Sequence, residues 1–62
     1  MKKFAVMVND PKVQEIRNYV AYGEDRERAL GMARDMAKHD GISNPEFVSV
    51  IDITRMEYAF GC

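Results

Sequence analysis

Two stretches of this chain alternate so that both faces of a β-strand would be apolar. In the first, Phe4, Val6 and Val8 share one parity, with Ala5 and Met7 on the other. Successive strand side chains point to opposite faces, so Lys3 to Val8 predicts a strand covered on both sides. In the second, Phe47, Ile51 and Ile53 fall on one parity and Val48, Val50, Met56, Tyr58 and Phe60 on the other. A middle stretch is weaker. Ile16, Val20 and Tyr22 share a face with Asn18, while Glu15, Arg17, Tyr19 and Ala21 share the opposite one. This predicts a strand over Val13 to Tyr22, joined to the first by the turn Asn9-Asp10-Pro11-Lys12, in which Pro fixes φ and Asn and Asp bond nearby backbone. So short a connection favours an antiparallel hairpin. An Asn inside an apolar row implies a bulge, a sheet edge or a polar contact with a partner.

Between Asp25 and Gly41 the period changes. Ala29, Leu30, Ala33, Met36 and Ala37 fall within a stripe of about 120° at 100° per residue, which predicts an amphipathic helix. Asp25 is the expected N-cap, and Gly41, after Asp40, suits the left-handed C′ position that ends a helix. His39 lies in the last turn, where positive charge is favourable. Three of the five stripe residues are Ala, so the helix can approach a sheet closely but adds little bulk. Gly31 lies near the centre of the outward face. It is read as a tolerated weak position, ahead of a site where another backbone approaches.

Ile42 to Pro45 reads as a loop, because Pro45 holds Asn44 out of the helical region. Glu46 to Phe60 is strand-like almost throughout. Fifteen residues at ~3.3 Å each would span about 50 Å, roughly three times a common strand. Such a segment either bends near Asp52 to Arg55 or carries its end onto a neighbouring molecule. The apolar cluster Met56, Tyr58, Ala59 and Phe60 favours the second option, making residues 56–62 an exchanged C-terminal arm.

The predicted fold is a single small α+β domain over residues 1–62 in the order β-β-α-β. Its three-stranded, mainly antiparallel sheet carries one helix on one face. That helix leaves the second sheet face bare. At 62 residues, a domain buries only about 60% of its unfolded surface, and very small domains lean on disulfides, metals or oligomerisation. Cys62 is the single cysteine and His39 the single histidine, so neither an intrachain disulfide nor a four-ligand metal site is available. Oligomerisation remains. The expected interface comprises Met7, Val48, Val50, Met56, Tyr58 and Phe60.

Nine Lys and Arg against ten Asp and Glu give a formal charge of −1, without the basic excess that gripping a phosphate backbone requires. No stretch approaches the ~20 apolar residues of a membrane span. The run Phe4 to Val8 stops at Asn9-Asp10-Pro11, too short for the core of a secretory signal. With a lone cysteine, these features give a cytoplasmic expectation and no membrane partner.

Candidate chemistry is sparse. His39 and Asp40 are adjacent on a helix and point in different directions. Cys62 has no surrounding shell to lower its pKa. Acids at Glu24, Asp25 and Glu27 oppose an anion at the helix start beside Gly23. Asp52, between Ile51 and Ile53, needs a partner if buried, and Arg17 or Arg55 could supply one; an edge position or the bend itself ranks slightly ahead. No catalytic, cofactor or metal residues are assigned.

The expected function is therefore that of a non-enzymatic binding protein acting as a homo-oligomer. Its ligand would be a protein or a small molecule, and one concrete version is an inhibitor or sequestering protein of the kind encoded by phages. Arg17, Asn18, Tyr19, Tyr22, Asp52 and Arg55 are the candidate ligand or partner contacts. The alternative, ranked behind it, is a nucleic-acid-binding or regulatory module using Arg17, Tyr19 and the helix bases Arg26, Arg28, Arg34 and Lys38. Tyr19 and Tyr22 differ in parity, however, so they cannot form one stacking platform on a regular strand.

Overall fold

A computed structural model describes residues 1–56 of the chain. The order is strand β1 (Lys2–Asp10), strand β2 (Glu15–Gly23), helix α1 (Arg26–His39) and strand β3 (Glu46–Asp52). The strands form one antiparallel sheet in the order β2-β1-β3, with the helix on one face. This is the small α+β, β-β-α-β arrangement that the residue pattern predicts.

Local chemistry explains each boundary. In the β1–β2 turn the Asp10 carboxylate accepts from the Lys12 backbone N–H at 3.1 Å, and the Asp10 carbonyl accepts from the Gln14 N–H at 2.7 Å. Closing this loop holds Gln14 at φ 55°, a left-handed conformation uncommon for a residue with a Cβ. The helix starts where expected: the Asp25 carboxylate accepts from the Arg28 N–H at 2.9 Å. It ends in a Schellman motif, with Gly41 at φ 95°. The Gly41 N–H donates to the Lys38 carbonyl and the Ile42 N–H to the Ala37 carbonyl, each at 3.0 Å.

The core lies between the helix and one face of the sheet. Phe4, Val6 and Val8 from β1, Ala21 from β2, Ala29, Ala33 and Ala37 from α1, and Ile42 are buried, with Tyr19, Leu30, Met36, Phe47 and Val50 packed around them. The bulk therefore comes from the sheet, and the alanines let the helix settle onto it. At Gly23 the fit is closest: a Cβ there would lie 2.7 Å from the Ala29 backbone nitrogen. Ile42, expected in a loop, is fully buried. It occupies the position after the left-handed glycine, where a Schellman motif places an apolar residue against the last helical turn.

The C-terminal strand differs from expectation in two ways. It does not run on from Glu46 as one strand but ends at Asp52. There the Asp52 carboxylate accepts from both the N–H and the hydroxyl of Thr54, at 2.9 and 2.6 Å. The Met56 N–H then bonds the Ile53 carbonyl at 3.0 Å, so the chain bends, and the Thr54 hydroxyl accepts from the Lys3 N–H at 2.9 Å, tying the bend to β1. Second, the register against β1 shifts: Met7 pairs with Ser49, but Val8 pairs with Phe47. Val48 is the extra residue of a β-bulge. The bulge reverses the parity, so Phe47 and Val50 both pack against the helix-side core, while Ile51 stays exposed. Among the described residues, no helix is long and apolar enough to cross a membrane.

Candidate assembly face

The sheet face away from the helix can be laid out from the pairing. Val20, Ala5 and Ile51 lie side by side across β2, β1 and β3; the next row holds Asn18, Met7 and Ser49. Beyond it come Ile16, Asn9 and Glu46, where the Asn9 amide donates to the Glu46 carboxylate at 3.0 Å. At the other end Tyr22 pairs with Lys3, whose ammonium lies 6.0 Å from the Tyr22 ring centroid. Met7, Ile16, Val20, Tyr22 and Ile51 are 37–51% exposed, while Val6 and Val8, one position away on β1, are at most 1% exposed. Ala5 is the small residue between Val20 and Ile51, so that row is low in the middle.

The residues that the sequence nominated for assembly are distributed differently. Met7 is on the open face. Val50 is not: the bulge turns it toward the helix, where it packs on the core. Val48 is exposed at the bulge and has no partner in the β1 register. Met56 is exposed beyond the bend. Tyr58 and Phe60, with most of the proposed arm, lie outside the described residues. Ile16, Val20 and Ile51 complete the apolar face and were not nominated. The first two were legible from their shared parity with Tyr22, but no residue type in β3 announced the bulge that frees Ile51.

The candidate contacts separate in the same way. Tyr19 faces the helix, and its hydroxyl donates to the Asp40 carboxylate at 2.8 Å. Burial, then the bond to Asp40 and its negative charge, raise the Tyr19 pKa above the ordinary 10.0. Tyr22 lies on the opposite face, so the two rings do not form a platform. Arg17 lies 3.5 Å from Glu15 rather than beside Asp52. Asp52 is exposed at the bend, and its bonds from Thr54 lower its pKa below 3.8. With Lys2, Thr54 and Arg55 it lines an open hollow of about 540 Å³. Of the helix bases, Arg34 stacks over the Phe47 ring at 5.5 Å from its centroid. Asn18 is exposed on the open face of β2, a strand at the sheet edge.

No protein family, curated protein or solved structure matches this chain.

Proposed function

We propose that this chain is a non-enzymatic binding protein that works as a homo-oligomer, and that the open sheet face is covered by a second copy. The carrying observation is the apolar surface formed by Val20, Ala5, Ile51, Met7, Ile16 and Tyr22 on a sheet that, among the described residues, is covered by α1 on the other side. The largest apolar patch on a soluble monomer is commonly about 300–600 Å² and often functional. A second copy supplies the same surface, and a two-fold arrangement makes a self-complementary patch sufficient. A protein or small-molecule ligand would then bind a site completed by assembly. The lone cysteine supports a cytoplasmic setting for it.

Light scattering tests the reading. At micromolar concentration the mass should be well above the 7.1 kDa of one chain. Val20→Lys and Ile51→Lys should lower it while the helix signal in circular dichroism persists. A monomer across the micromolar range would overturn the proposal.

A further inference from the structure

The two edges of the sheet are not alike. β3 carries the bulge at Val48 and follows Pro45, features that blunt an edge against pairing. β2 is the other edge. It pairs with β1 in unbroken register over its whole length and contains no proline.

Which β2 backbone groups face outward follows from two bonds. The Tyr22 N–H donates to the Met32 sulfur at 3.3 Å, so it points away from β1. Across the register, the Lys3 carbonyl accepts from the Ile53 N–H at 2.8 Å, on the side away from β2. Lys3 and Tyr22 are therefore a pair that exchanges no main-chain bonds, and the alternation of an antiparallel ladder turns Val20, Asn18 and Ile16 outward as well. Among the described residues nothing bonds these three N–H and C=O pairs. Met32 closes the row at Tyr22, leaving Ile16 to Val20 open.

We infer that the outer edge of β2 pairs antiparallel with β2 of a second copy, with the two-fold axis passing beside Asn18. Only this centring uses all three open residues and leaves the Tyr22–Met32 bond intact. Asn18 exchanges two main-chain bonds with Asn18 of the second copy, and Ile16 does the same with Val20 of the second copy on each side of the axis. On the open face this sets the two Asn18 amides side by side and each Ile16 against a Val20. An Asn in an otherwise apolar row thereby gains a polar partner. On the helix face it sets Arg17 across from Tyr19 of the second copy, a cation beside an aromatic ring.

The open face alone is small. Three strands of seven to nine residues present a plane of roughly 14 by 25 Å, on the order of 350 Å². That is small beside the ~800 Å² each side of a standard interface contributes. Edge pairing joins two sheets into one of six strands and doubles the apolar face. The inference shares with the preceding proposal only the identity of the partner, since edge pairing requires no face-to-face contact.

Amide hydrogen exchange on the full chain separates the two contacts. With edge pairing, the Ile16, Asn18 and Val20 amides are slowed about tenfold or more at concentrations where the mass doubles, and exchange rapidly on dilution to monomer. Face packing alone leaves them fast at every concentration. An Asn18→Cys, Cys62→Ser chain gives the second measurement. The paired Cα atoms would lie roughly 5.5 Å apart, within disulfide reach, so this chain should oxidise to a covalent dimer far faster than a Lys12→Cys, Cys62→Ser control. Fast exchange of these amides in the assembled protein, protection that persists in the monomer, or equal oxidation rates would each overturn the inference.

Discussion

The two faces of this sheet differ in make-up as well as in fate: the helix side is almost wholly apolar, while the open side sets Asn18, Ser49, Asn9 and Glu46 among its apolar residues. On β1, Phe4, Val6 and Val8 are buried beneath α1, while Ala5 and Met7 between them face outward with Val20 and Ile51. Among the described residues α1 is the one helix packed on the sheet, and its alanines fit closely over one face. No element among the described residues lies over the apolar part of the open face.

The largest expected effect compares one isoleucine from each side. Ile42→Ala removes a fully buried side chain and should cost about 2–5 kcal/mol in denaturant unfolding. Ile51→Ala, on the open face, should cost within about 0.5 kcal/mol in dilute monomer and more in the proposed assembly. Equal costs at every concentration would mean that the open face is covered within one chain.

Two glycines sharpen the contrast between the packed and the free side of the helix. Gly23→Ala drives a methyl into the Ala29 backbone and should destabilise by about 1–3 kcal/mol, as overpacking does. At Gly31 a Cβ would meet nothing within 4 Å, so Gly31→Ala should stabilise by about 0.5–1 kcal/mol. A loss at Gly31 confined to the assembled state would show that a second copy packs on the outer side of the helix.

The smallest effect concerns the tether from β2 to the helix end. The folded pKa of Tyr19 lies above its unfolded value. Its contribution to stability is therefore complete below pH 10 and lost as pH rises through the higher folded value. Tyr19→Phe should flatten this alkaline limb of the stability curve and lower stability by a pH-independent amount at neutral and acidic pH. An unchanged limb would put the loss elsewhere, on deprotonating lysines for example.

Local chemistry made much of the fold legible. The Asp25 cap, the Gly41 stop and the alanine stripe each state their structure within a few residues, and the β1 alternation names its buried row. What the residue pattern missed depends on partners far along the chain. Tyr19 and Asp40 are 21 residues apart, and nothing in either neighbourhood announces their bond. The bulge is harder still, because Val48 is an ordinary strand residue, yet inserting it exchanges the faces of Val50 and Ile51. Part of the candidate assembly face was therefore assigned to the wrong side of β3. Asp52 between two isoleucines suggested a buried acid, but its carboxylate serves the Thr54 bend at the surface.

That extra residue in β3 also sets how far any sheet pairing can spread. A sheet with two regular edges can add copies at both, and growth then has no natural end. Here one edge is straight and the other is kinked at Val48, so the proposed pairing uses the one regular edge among the described residues. Two such molecules joined through their straight edges expose only kinked ones. In the proposed pairing strand addition would end at two molecules, and a residue that looks like an error of register would be what ends it.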